Sequence, residues 1–324
     1  MFVLEADISI GKYRFNRVNN IKVVRSVELL SDTAEIKLPI TAFELQGNRT
    51  KKIDLSEAIS AGDAVSVTLK YKGVFEHTEF KGYVKEVKPN RPTVTIVCED
   101  AVYLLRKKNI RKNFGKTDLK SVLSEITGGT GVELSGDIPE VNFDNFILKD
   151  VNGAKALQKI KENYGLSIYI DDEGKLFAGL KYTGKSSGEV KYDLNKNVIK
   201  ADLQYKKASD VKLYVKVIGV LKDNTKIEVM VGDSEGEQRT IYKYNVSDKK
   251  TLEQIGKSEL ADMKYDGYRG SLTGFLVPFA DRGMQVALAD ERYPKRAGTY
   301  FIDKVETTFG ANGARRKVYL GIKL

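Results

Sequence analysis

The sequence predicts a mainly β protein of the α+β kind: two small antiparallel β-barrel-like domains flanking a small α/β module. Three observations predict it. Short segments with period-two alternation fill the first 105 residues and return from about residue 198. Two amphipathic helical stretches with glycine stops lie between them. Directly after the second comes an acidic-Gly turn between two apolar strands. The boundaries fall at 1–108, 109–190 and 191–324.

In the first region, 7–15 has strand character around the Gly11-Lys12 turn, 18–29 alternates in part, and 33–38 follows a Ser-Asp turn. Residues 64–71 alternate cleanly after Gly62-Asp63, and 80–87 and 93–97 are joined by the turn KPNRP. Short strands at turn-marked spacing suggest a barrel or sandwich, and a closed barrel removes exposed strand edges.

The middle region opens on RKKNIRKNFGK at 106–116, with six basic residues and no acidic one. Thr117 is read as the N-cap of a helix with Leu119, Val122, Leu123 and Ile126 on one face, stopped by Gly128 and Gly129. A second helix, GAKALQKIKENYG, turns Ala156, Leu157 and Ile160 inward and ends at Gly165. The hairpin LSIYI–DDEG–KLFAGL follows, and YTGKSSGEV reads as a turn-rich linker.

Strands resume at 211–220, 226–231 and 240–246. One helix interrupts, with Ser247 as its cap and Leu252, Ile255, Leu260 and Met263 apolar. Strands return at 271–275, 284–288, 299–305 and 317–322.

Composition removes several chemistries. The 324 residues carry a net charge of +10, 41% hydrophobic and 30% charged residues, which fits a folded globular chain of two or three domains. A lone cysteine, Cys98, in the strand pattern TVTIVCED, excludes an internal disulfide and a Cys-rich zinc site, and reads as a buried, inert thiol. A lone histidine, His77, excludes multi-histidine metal sites and reads as an exposed strand residue. No basic-then-apolar leader and no stretch of ~18 apolar residues occurs, so the expectation is cytoplasmic assembly with no membrane span. Phosphate-loop patterns are absent, GGTG at 128–131 follows a helix rather than opening one, and nothing points to a cofactor. Asp171, Asp172 and Glu173 read as a solvated hairpin tip rather than an acid/base pair. No catalytic residues are assigned.

The strongest charge feature is the basic run. Arg106, Lys107, Lys108, Arg111, Lys112 and Lys116 are the candidate interaction residues, facing nucleic acid or an acidic partner surface. Lys295-Arg296 and Arg315-Arg316-Lys317 read as solvated turns.

The chain resembles the late control D-like baseplate hub proteins of phage tails, the hub portion of VgrG in type VI secretion. Three places carry the resemblance. TVTIVCED runs into the basic, helix-like AVYLLRKKNI. AKALQKIKENYGLSIYIDDEGKLF is similar to the family's middle module. The closing segments SLTGFLVPFADRGMQVALAD and AGTYFIDKVETTFGANGARRKVYLGIKL are similar to its final strands. Asp281-Arg282-Gly283 departs from the Pro-Gly-like lead-in usual there, and the chain stops at Leu324 where VgrG proteins continue into a spike.

The resemblance implies a non-enzymatic hub: a homotrimer whose two tube domains per subunit present six similar surfaces. It would adapt a six-fold tail tube protein to a three-fold spike protein in a phage, tailocin or other contractile injection particle. Nucleic acid enters only as cargo in the tail channel, and the basic run then lines the lumen or a subunit seam. The alternative is a nucleic-acid-binding β-barrel protein using 106–116, with affinity falling steeply with salt. A wall-degrading tail enzyme using Asp171 or Asp172 ranks third.

Overall fold

The computed structural model describes residues 3–46, 49–136, 138–182, 188–221, 224–244, 246 and 248–324. The first region holds β1 (Leu4–Ile10), β2 (Tyr13–Phe15), β3 (Asn20–Ser26), β4 (Thr33–Pro39), β5 (Thr41–Gln46) and β6 (Arg49–Asp54). The one-turn helix α1 (Leu55–Ala58) precedes β7 (Ala64–Tyr71), β8 (Phe75–Asn90) and β9 (Thr93–Glu99). Alternation explains the layout: in β7 the burial runs exposed-in, exposed-in, with Val65, Val67, Leu69 and Tyr71 on the buried face.

The middle region holds α2 (Val102–Lys107), β10 (Asn109–Asp118), α3 (Leu119–Thr127), β11 (Asn142–Asn152), α4 (Gly153–Tyr164), β12 (Ser167–Ile170) and β13 (Leu176–Gly179). The expected helix faces are buried in α3 and α4, and Gly165 ends α4 in the left-handed region at φ 66°. Two expectations change here. The basic run is helical only to Lys107; from Asn109 it is a strand, because β11 supplies a pairing partner. The N-cap of α3 is Asp118, whose carboxylate accepts the Ser121 N–H at 2.8 Å, because Thr117 is still paired to Phe143 in the ladder. The linker expected at 182–190 lies outside the described residues over 183–187.

The last region holds β14 (Glu189–Asp193), β15 (Lys200–Lys206), β16 (Leu213–Val220), β17 (Lys226–Gly232), β18 (Glu237–Tyr244) and α5 (Lys249–Met263). It ends with β19 (Gly267–Gly274), β20 (Gln285–Ala289), β21 (Gly298–Gly310) and β22 (Gly313–Lys323). Ser247, read as the cap of α5, lies outside the described residues; the Asp248 carboxylate accepts from the Lys250 and Thr251 N–H groups at 3.2 and 3.0 Å.

The two β regions share one sheet. Its path runs β15-β19-β22-β21-β3-β4-β9-β8-β7-β1-β2, with β20 on β21 and β14 on β20. The joint is β21. Its first residues pair with β20, its register shifts around Ile302, and Lys304–Gly310 then pair antiparallel with β3 over seven positions. Each region thereby covers an edge of the other.

Three hydrophobic clusters fill the molecule. One lies under the first region and receives Leu276 and Ala314 from the last. A second gathers Leu272, Val286, Tyr300, Ile302 and Val318 of the last region. The third belongs to the middle module, and Val215, Val217, Leu252 and Ile255 of β16 and α5 pack into it. Thus the segment from β16 to α5 follows the middle module in packing, although it follows β15 in the chain.

A buried ion pair sits beside the joint. The Arg316 guanidinium, 1% exposed, donates to both oxygens of Glu79 on β8, at 2.6 and 3.1 Å, and to the Ala280 carbonyl at 3.1 Å. Thr307 on β21 donates to the same carboxylate at 3.1 Å. Arg316 is therefore a core residue rather than a solvated turn cation. Burial opposes ionisation of Glu79, yet Arg316 and His77 pull its pKa down to about 2. Replacing Arg316 with Ala leaves that carboxylate buried without its guanidinium partner, an expected loss of about 3–5 kcal/mol in urea unfolding; the double change Glu79→Leu with Arg316→Leu is expected to lose less. The Glu79 pKa is lower folded than unfolded, so its stabilisation is full above about pH 4.5 and is lost as pH falls toward 2. Acid unfolding of the double variant should lack that component.

Candidate functional site: a basic segment and an ionic junction

The six cations of the basic segment do not act alike. Arg106 leaves the end of α2 and donates to both oxygens of Glu99, with Nε to Oε2 at 2.9 Å. Glu99 is buried, also accepts from the Ser31 hydroxyl at 3.0 Å, and is held below the usual carboxylate range by Arg106 against the opposing effect of burial. Lys108 points back at the C-terminus of α3 and donates to the Glu125 and Gly128 carbonyls, the latter at 2.6 Å, where a cation offsets the helix dipole. Lys112 pairs with the Glu125 carboxylate and lies 5.1 Å from the Phe114 ring. Lys107 is exposed and lies 5.2 Å from the Tyr103 ring centroid. Arg111 and Lys116 are exposed on β10. Half of the segment thus stabilises the junction of α2, α3 and β9, and the other half faces solvent.

Sequence reading missed a second constellation, built from residues far apart in the chain. Arg25 at the end of β3 contacts three carboxylates: Asp32 at 3.1 Å, Asp281 and Asp172. Arg282 contacts Asp32 at 2.7 Å and donates to the Ile170 carbonyl, with its guanidinium 4.8 Å from the Tyr169 ring. Asp100, just after β9, accepts the Asp32 N–H at 2.7 Å and the Val102 N–H at 2.9 Å. The junction joins the first region, the tip of the β12–β13 hairpin and the loop before β20. Asp281 and Arg282 supply its third arm.

The hairpin tip is only partly the solvated turn expected. Asp171 closes the turn, accepting from the Glu173 and Lys175 N–H groups at 3.0 and 2.8 Å. Asp172 instead reaches across to Arg25. His77 is half-buried rather than exposed, 4.1 Å from the Phe279 ring centroid and 3.7 Å from Glu79. Cys98 is buried, and burial pushes its thiol up to about 12.

A cavity of about 640 Å³ opens between this hairpin tip and the sheet, lined by Arg25, Asp32, His77, Lys81, Asp100 and Asp172 among others. A second ionic hub ties β21 to the middle module and α5. Lys181 contacts Glu28 at 2.6 Å, Asp303 at 3.1 Å and Asp262 at 3.5 Å. Burial raises Asp303 to about 6 despite Lys181. No helix among the described residues is long and apolar enough to cross a membrane.

Truncation separates the two halves of the basic segment. Arg106→Ala, which leaves buried Glu99 with weaker partners, should destabilise by about 1–2 kcal/mol. Arg111→Ala and Lys116→Ala should stay within about 0.5 kcal/mol. Urea unfolding of the three variants checks this.

No protein-family model matches the chain, and neither does any curated protein. Solved structures do match, end to end. The 43 kDa tail protein of prophage MuSo2 from Shewanella oneidensis is 18% identical, with a TM-score of 0.66 over 98% of this chain and 97% of that one. A tail protein from Neisseria meningitidis is 12% identical, with a TM-score of 0.70 over 99% and 97%. A component of the type VI secretion system of E. coli, described as structurally similar to bacteriophage tail proteins, is 9% identical, with a TM-score of 0.59 over 98% and 76%. The mainly β reading and the hub resemblance are borne out at the level of fold. The chain has the fold of these phage tail and secretion-system proteins across nearly its whole length.

Proposed function

We propose that the protein is a structural baseplate hub of a phage tail or phage-like contractile injection particle, working through geometry rather than turnover. The observation that carries this reading is the end-to-end correspondence in fold with two tail proteins, one of them from a prophage. The proposed assembly is a homotrimer joining a six-fold tail tube protein to a three-fold spike protein, formed in the cytoplasm and ending in the particle. Its chain units are 1–108, 109–190 and 191–324, with the segment from β16 to α5 docked on the middle one.

Two features support the presence of neighbours. The β5–β6 hairpin pairs only with itself among the described residues and exposes Phe43. Met230, Tyr242 and Tyr244 are exposed on the edge strands of the three-stranded sheet β17-β16-β18. Exposed large side chains grouped in this way mark interaction surfaces. Arg111 and Lys116, with Lys107, are the members of the basic segment left to face a partner or the channel.

Light scattering over a concentration series at two salt levels tests the assembly. A trimer, three times the 36.2 kDa chain mass, is expected, with a subunit interface of about 2,000 Å² or more. A mass of one chain at every concentration and salt level contradicts self-assembly. A salt-steep affinity for DNA in the same monomer would favour the nucleic-acid-binding reading instead.

A further inference from the structure

The junction around Arg25 contains more carboxyl groups than guanidinium groups to neutralise them. Asp32, Asp100, Asp281 and Arg282 are buried and the Arg25 side chain is 13% exposed; Asp172 is the member most open to water, its side chain 61% exposed. The other groups facing the junction and its cavity are Tyr169 on β12, Asp171 and Glu173 at the tip, His77, Glu79 and exposed Lys81 on β8, and Arg106 near Asp100. None adds a buried cation at the contact. With all four carboxyls ionised the junction carries an excess of two negative charges, in a place where unpaired charge is expensive to hold.

We propose that this junction is a latch for the β12–β13 hairpin, closed while Asp100 and Asp281 retain protons and opened when they lose them. The physical order follows from exposure. When every carboxyl is ionised, they compete for two guanidiniums, and the member expelled is the one water can solvate. Asp172 is the carboxyl that water solvates best, and the hairpin tip carries it. Closed, the latch pins the middle module to the end of β3 through Asp172 and Arg25, and to the loop before β20 through Arg282 and the Ile170 carbonyl.

The proton holders are consistent with this geometry. Burial, and then Asp32, raise Asp100 well above its ordinary value. Burial also raises Asp281, outweighing Arg25 and Arg282. Both bind protons more tightly in the closed state, so the latch loses stability as pH rises past the ordinary carboxylate range toward the raised values. Asp172 is held low by Arg25 against burial. The contact therefore fails at the acid end only below that range.

Hydrogen exchange of the full chain, corrected for intrinsic rates, tests the latch. From the ordinary carboxylate range upward, between about pH 4 and pH 9, protection of the β12 and β13 amides should fall at least about tenfold while protection of β9 stays constant. Asp100→Asn, which fixes a neutral group in place, should flatten that dependence; Asp281→Asn serves the same purpose should the first variant fail to fold. Hairpin protection in the wild-type chain that does not change with pH overturns the proposal. So does an unchanged pH dependence in a folded Asn variant.

Discussion

Everything else in the molecule depends on the seven-residue ladder between β3 and β21. An isolated edge strand is exposed to unwanted pairing, and each β region would carry one here. The chain resolves both edges by pairing them with one another, although the two strands lie nearly 280 residues apart. Shared pairing alone would leave the faces beside the ladder to be matched. Glu79 and Arg316 do that matching: a bidentate, fully buried pair is satisfied in only one relative placement of the two regions. Leu276 and Ala314, inserted into the core of the first region, add apolar contact to the same placement.

The middle module is held by charge where the seam is held by backbone pairing. Its own core is apolar, with α3 and α4 turning their buried faces together and β16 and α5 completing the cluster. Its attachments to the sheet run through Arg25 and Arg282 on one side and Lys181 on the other. Ion pairs of this kind contribute little net stability compared with apolar packing but are selective about geometry.

Local signals were readable in the sequence and distant ones were not. Alternation places β7 at its observed residues, and the glycine stop and apolar face place α4. β10 escaped because its residues are basic on both faces and its partner, β11, lies beyond a helix. β5 and β6 escaped because TAFELQ and RTKKID are rich in polar residues and alternate weakly in sequence. The junctions were unreadable for a different reason. Arg25 meets Asp172 from 147 positions away, and Arg316 meets Glu79 from 237. Nothing local distinguishes those residues from turn charges.

The central claim is that the two β regions are one cooperative sheet joined at β3 and β21. Native-state hydrogen exchange at Val23, Arg25, Val305 and Thr307 tests it most directly. The account predicts that these amides exchange only through global unfolding, as slowly as those at the centre of β9. Exchange at the seam through a smaller opening, while β9 and β22 stay protected, would contradict it and make the two regions separate domains in contact.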